Sequence, residues 1–424
     1  MARRTALTLE DIVALALSGS PDAQASWADA RARAAAYGAA RGTWFPEING
    51  EASVTRVRTA ATQGRSAVQQ TIYEPSVFLT WLLFDVGGRS GEVSAARDAL
   101  IAANWTHNAT LQNVVARAAG AFFDYSASKA LLAAQALTLQ EAQVNLAAAE
   151  ERRRVGVATI ADVLQARTAV AQARLDLQAV EGNLLTTRGA LAASTGFPAT
   201  LDYDIDTTSV TRPIAALAEQ VDTLVAAALE SRPDLAAAWA DYGEARAQAR
   251  VARSQRLPSL VASGTAGISY QAGQDGRGAY NLSLGLRIPV FNGFAWEYNQ
   301  QRAEADAEAA LARARGLEQQ VVFQVFSAYH ALRTATVRVG TAEELLTSAT
   351  ESAAAARGRY QGGVGSLLEL LNAENALAAA RAQRIQARLG WQAAAVQLAR
   401  DAGILDLQGG SPLRLSPITP DSVP

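Results

Sequence analysis

The chain has 424 residues, half of them apolar, a formal net charge of −2 and no Cys. That leaves room for several domains, gives no basic footprint for nucleic acid, and excludes a disulfide framework, a thiolate metal site and a Cys nucleophile. His107 and His330 are too few for a His-based centre, so neither a metal nor a cofactor is expected.

The N-terminus runs directly into an amphipathic segment and has no apolar signal-peptide core. If the protein is exported, the sequence is expected to start after the cleavage point, with a lipidated Cys in the precursor left open. A short helix over about 9–18 leads to a medium one over about 21–42, opened by Pro21-Asp22. Strands follow over about 46–58 and 72–84, then a very long helix from about 88 to 153, a turn containing Gly156, and a helix over about 160–194. No apolar run is long enough to span a bilayer as a helix, and Val77 to Phe84 has the length of a strand. A membrane crossing would therefore need strands closed into a barrel.

The same order then recurs. Pro21-Asp22 reappears as Pro233-Asp234, Trp27-Ala28-Asp29 as Trp239-Ala240-Asp241, Arg41 as Arg253 and Pro46 as Pro258, all at one spacing. Phe84 matches Phe291, Gly156 matches Gly363, and Thr159 to Ala166 matches Ser366 to Ala373 at a slightly shorter spacing, so the length difference falls among the strands and their loops. Two structural repeats are predicted, residues 7–200 with the long helix pair 88–194 and residues 214–403 with the pair 295–401, followed by a Pro-rich tail over 404–424. The second repeat carries helices over about 217–230 and 233–256 and strands over about 258–270 and 280–291.

The last strand alternates. Leu282, Leu284, Leu286, Ile288 and Val290 fall on one face, with Asn281, Ser283, Gly285 and Arg287 on the other, the apolar-out, polar-in pattern of a barrel strand. Trp44, Trp81, Phe84, Phe291, Phe294 and Trp296 gather at the strand ends, where an interfacial aromatic girdle would sit; an ordinary β-sandwich core with aromatic ends is the other reading. The helices separate the two. The run from Gly88 to Arg153 would be on the order of 100 Å long at about 1.5 Å per residue, more than a globular core needs. Val163, Val170, Leu177, Leu184 and Leu191 keep a heptad with Ala166, Ala173 and Val180, repeated by Leu370, Leu377, Trp391 and Leu398 with Ala373, Ala380, Ala387 and Ala394 and interrupted by Arg384. Such seams make closely packed coiled-coil pairs.

The duplication, the element order, the Phe84-Asp85-Val-Gly-Gly and Phe291-Asn-Gly segments and the turns at Gly156 and Gly363 together resemble the TolC-like outer-membrane efflux proteins, the outer-membrane factors of tripartite pumps and type I secretion systems. The resemblance implies a mixed α and transmembrane β fold. Four strands per protomer would join a 12-strand barrel in a homotrimer, above a long periplasmic α-helical barrel. It implies a passive, non-enzymatic exit duct in the outer membrane of a Gram-negative bacterium. Outer-membrane lipid, a periplasmic adaptor and an inner-membrane pump would be its partners. A periplasmic coiled-coil scaffold without a pore is the alternative; it shares the helices and leaves the strands unexplained.

Thr159-x-x-Asp162 and Ser366-x-x-Glu369 each have the form of a helix capping box. The resemblance adds that the two turns line a periplasmic gate, with Glu369 and Asp162 at acidic positions, Asn372 and Gln165 one turn further on, and Tyr360 at an aromatic bridging position. Where the family can carry an arginine, this chain has Gly365. Both roles, cap and gate, stay open. Three-fold symmetry would bring three Glu369 carboxylates toward one axis and favour cations there. Arg152, Arg153, Arg154, Arg357 and Arg359 end the long helices, where they suit the helix dipole or, alternatively, contact adaptor hairpins.

Overall fold

The computed structural model describes residues 6–61, 64, 66–200, 203–206, 220–271 and 275–405. The order is α1 (Leu9–Gly19), α2 (Pro21–Gly42), β1 (Glu47–Thr59), β2 (Val68–Phe84), α3 (Gly88–Arg154) and α4 (Ile160–Ser194). It recurs as α5 (Val221–Ser231), α6 (Pro233–Ser254), β3 (Ser259–Gln271), β4 (Arg277–Arg287), α7 (Ala295–Gln361) and α8 (Leu367–Asp401). The matched helices have equal lengths, 67 residues for α3 and α7 and 35 for α4 and α8. Among the described residues no helix is long and apolar enough to cross a membrane. All but the first two residues of the tail expected over 404–424, and the first part of the helix expected from 217, lie outside the described residues.

The strands form one antiparallel sheet in the order β1-β2-β3-β4. Two boundaries differ from expectation: β2 begins at Val68 instead of about 72, and β4 spans Arg277–Arg287 instead of about 280–291. Pro289 explains the second shift. It has no N–H for the ladder and restricts the residue before it. Ile288 and Val290 therefore lie past the end of β4, and the alternating apolar set within it is Leu282, Leu284 and Leu286. Between Leu82 and Phe84 the β2–β3 register slips, and this bulge puts Phe84 on the same face as its partner Leu260.

Both segments leaving the sheet are sharply bent. Val86 (φ 48°) and Phe294 (φ 65°) adopt left-handed backbone, a conformation that costs a non-glycine residue about 1–3 kcal/mol. Local bonds hold the bends. Asp85 Oδ2 accepts the Arg89 N–H at 2.5 Å, and Asn292 Oδ1 accepts the Trp296 N–H at 3.3 Å. Arg89 is buried, donates to the Leu83 carbonyl at 2.9 Å and stacks 4.3 Å from the Trp44 ring centre. A Cβ at Gly88 would lie 2.7 Å from Ser254 Oγ and 2.8 Å from Asp85 Oδ2, so a side chain there would displace one of them.

The chain divides into two compact units that cut across the sequence repeats. One comprises Met1–Trp27, Thr106–Leu235 and Glu318–Pro424; the other comprises Ala28–Trp105 and Ala236–Leu317 and contains the sheet. In the first unit, Ile12, Phe122 and Leu191 anchor one core, and the heptad residues build the seams. Val163, Ala166, Leu367 and Leu370 are buried together, Val170 packs with Ala142 and Ala173, and Leu377 with Ala349, Ala353 and Ala380. Each such leucine contributes about 1.5–3 kcal/mol by leaving water.

Candidate gate at the paired helix turns

The two turns are built by the same backbone device. Gly156 (φ +82°) and Gly363 (φ +79°) sit just past the ends of α3 and α7 in the left-handed conformation that glycine adopts without penalty. The Val157 N–H then donates to the Arg152 carbonyl at 2.9 Å and the Val364 N–H to the Arg359 carbonyl at 3.0 Å, closing the last helical turns. Gly365 is glycine for a different reason. A Cβ there would lie 3.0 Å from Arg359 Cβ and 3.1 Å from the Tyr360 nitrogen, so a larger side chain would crowd the last turn of α7.

The helices that follow start differently. At Thr159 the capping box is complete: the Asp162 N–H donates to Thr159 Oγ1 at 3.2 Å and Asp162 Oδ2 accepts the Thr159 N–H at 2.8 Å. At Ser366 only half of the expected box forms, the Glu369 N–H donating to Ser366 Oγ at 3.2 Å. The Glu369 carboxylate instead faces Arg359 at 3.3 Å. The carboxylate is thus turned back to the last turn of α7 and leaves the Ser366 N–H without its reciprocal bond. Both side chains are about half exposed, so the pair contributes at most about 1 kcal/mol.

Tyr360 is the buried centre of this region, packed with Ala149, Val163, Ala166 and Leu370. Arg152 links the end of α3 to the end of α7: its Nη1 donates to the Tyr360 carbonyl, and its guanidinium lies 4.5 Å from the Tyr360 ring centre. Burial pushes the Tyr360 phenol up, Arg152 opposes this, and the nearby Asp162 charge pushes it further. The phenol oxygen itself is buried and makes no hydrogen bond. Asn372 and Gln165 are exposed and enter none of these contacts.

A second polar group lies beside these turns. Arg357, expected as a helix-end cation, pairs with Glu374 at 3.0 Å and approaches Glu141 at 3.9 Å. Arg381 pairs with Glu141 at 2.8 Å, and the Asn145 amide donates to Glu374. The five residues join α3, α7 and α8. Burial pushes the Glu374 carboxyl up while Arg357 pulls it down. The readable signal was position: Glu374 and Arg381 each directly follow a seam alanine, Ala373 and Ala380, where charges border a coiled-coil core. Arg154 pairs with Glu151 inside its own helix, and Arg153 is exposed.

The aromatic residues singled out as a girdle lie in the other unit. Trp44, Trp81, Phe84, Phe291 and Phe294 are exposed and Trp296 is half-buried. Trp81 Nε1 donates to the Trp44 carbonyl at 3.0 Å, and the Phe291 and Phe294 rings meet edge-on at 5.4 Å. His107 is 2.8 Å from Ser26 Oγ and tilts against Trp27, with burial pushing its pKa down; His330 packs on Phe326. Among the described residues no group of three His, Asp or Glu could hold a metal ion.

Comparison with known proteins agrees with this architecture. The family model for outer membrane efflux proteins matches residues 12–197 and 224–403. Protein CyaE of Bordetella pertussis is 29% identical over 393 residues, covering 89% of this chain and 80% of that protein. The toluene efflux pump outer membrane protein TtgC of Pseudomonas putida is 24% identical over 411 residues, covering 93% and 82%. In fold, the chain is similar to the crystal structure of the outer membrane protein VceC from Vibrio cholerae, with a TM-score of 0.83 at 20% identity, covering 93% of this chain and 96% of that one. A duplicated helix-strand-helix chain, matched twice by one family model, is thus a member of the outer membrane efflux protein family, the transport channels of the Gram-negative outer membrane.

Proposed function

We propose that three copies of this chain form an exit duct for a tripartite efflux pump or a type I secretion system, passive in itself and closed at the turns around Gly156 and Gly363. The observation that carries this reading is the sheet. Its four strands leave both edges, β1 and β4, without a partner among the described residues, while Leu282, Leu284 and Leu286 stand exposed along one face. Four strands cannot close a barrel, and an open edge in lipid would strand its N–H and C=O groups. Copies must supply the missing pairs, and three give the twelve strands that the resemblance implies.

The aromatic group at Trp44, Trp81, Phe84, Phe291, Phe294 and Trp296 would then mark one membrane interface. At the turns, Arg152 and Tyr360 would hold the two helix pairs together, with Glu369 and Asp162 facing the mouth and Asn372 and Gln165 next to them. Exposed Val155, Val157, Val364 and Leu368, with Arg153 and Arg359, offer the adaptor an apolar surface with basic edges. The adaptor and an inner-membrane pump would supply the selectivity and the energy.

Light scattering in detergent tests the assembly. Purified full-length protein should have a detergent-corrected mass three times that of the protomer and should precipitate when detergent is removed. A monodisperse monomer without detergent would overturn the duct and favour the scaffold.

A further inference from the structure

The pairing register separates the sheet into faces of unequal charge. Trp81 lies opposite Ala262 and Ala262 opposite Leu284, so these share one face; Thr80, Ser263 and Ser283 share the other. By the same alternation, Glu47, Glu51 and Glu74, the only acidic residues in the strands, all fall on the Ser283 face, and so do Arg277 and Arg287. The Leu284 face carries no acid. Its only charges are Arg56 and Arg58 of β1, both exposed.

Their height along that face is specific. Trp81 stands near the end from which the helices leave, and Tyr73, further along β2, pairs with Tyr270 toward the hairpin ends. The eight residue steps from Trp81 to Tyr73, at about 3.4 Å each and a tilt of about 40°, rise about 20 Å, close to the roughly 25 Å apolar band of outer-membrane barrels. Val77 and Leu79 lie between them. Val54 is the partner of Tyr73, and Arg56 and Arg58 are the next two residues on this face beyond it. The order from the helix end is aromatic, apolar, aromatic, basic.

We propose that Arg56 and Arg58 bind the phosphate groups of anionic lipid in the outer leaflet, resting on the reading of this sheet as part of a membrane barrel. The Gln69 amide oxygen, in the orientation its hydrogen bonds require, accepts from Arg56 Nε at 3.0 Å and Nη2 at 2.7 Å. A neutral partner fixes the guanidinium plane and leaves its charge uncompensated, with Nη1 free to meet a phosphate oxygen. Among the described residues no carboxylate pairs with either arginine. A lipid phosphate is the anion that this height along the outward face brings within reach.

The test uses the full chain in non-ionic detergent, titrated with lipid A and read by native mass spectrometry. Two basic residues at about 1 kcal/mol each correspond to a roughly 30-fold weakening for Arg56→Gln with Arg58→Gln. Lysine at both positions should restore part of the binding, since it returns the charge without the plane held by Gln69, and Arg277→Gln with Arg287→Gln, on the opposite face, should leave it unchanged. Unaltered binding by the Arg56, Arg58 double variant, equal loss in the Arg277, Arg287 variant, or full displacement of lipid A by millimolar inorganic phosphate would overturn the proposal. Insertion into phosphatidylcholine vesicles separates the two readings. A parent that inserts but shows no lipid A preference defeats only this site, whereas a parent that never inserts defeats the barrel and the site together.

Discussion

Arg152→Ala should weaken the hold between the two helix pairs at their turns and raise passive solute flux through the protein. The substitution removes a donor to the Tyr360 carbonyl and a cation over the Tyr360 ring. Because Arg152 is half-buried, the low end of both contributions applies, together about 2 kcal/mol, or a roughly 30-fold shift from engaged to disengaged tips. Tyr360→Phe is the informative control. It keeps the ring and the backbone carbonyl, and it deletes a phenol oxygen that has no hydrogen bond. Swelling of proteoliposomes in a permeant sugar should therefore be faster with Arg152→Ala and unchanged with Tyr360→Phe. If the alanine variant swells like the parent, or the phenylalanine variant swells as fast as the alanine one, the Arg152–Tyr360 contact is not what holds the tips.

Leu284→Arg should impair assembly, and Ser283→Arg should be tolerated. Leu284 is 66% exposed on the apolar face, whereas Ser283 points the other way and meets Ser263 across the strands, Oγ to Oγ, at 2.7 Å. An arginine on the lipid face near the bilayer midplane costs about 2–4 kcal/mol, and assembly multiplies that cost by the number of copies. On the inner face the charge stays in water, and only the Ser263–Ser283 hydrogen bond is lost, about 1 kcal/mol. The fraction of heat-modifiable oligomer on unboiled gels gives the readout. Equal loss for both variants would mean a sheet buried on two sides, incompatible with a barrel wall.

Much of the fold was legible because it is repeated and periodic. Pro233-Asp234 and Trp239 announced the second copy, and the heptad through Val163, Ala166 and Val170 announced the buried seam, since local rules govern both. What the sequence did not reveal depends on long-range contacts. The strand face at Leu282 to Leu286 was readable, but its end was misplaced across Pro289, and the slip near Leu83 depends on pairing with β3. At the turns, the glycine positions and the Thr159 box followed from local chemistry. The diversion of Glu369 to Arg359 did not, because the arginine comes from the preceding helix. Arg357 and Glu374 were separable only as helix-surface charges until α3 supplied Glu141 and Asn145. The compact units likewise cross the repeats, a consequence of α3 and α7 each serving both.

Single-channel recording in planar bilayers tests the central claim, an oligomeric barrel opening into a gated duct, most directly. The parent, added from detergent, should insert in uniform steps and spend most of its time at low conductance, and Arg152→Ala should insert in equally uniform steps at a markedly higher level. Vesicle flotation run alongside establishes that each protein has entered the membrane. Membrane-inserted protein that gives no discrete conductance steps, for the parent and for Arg152→Ala alike, would contradict the duct.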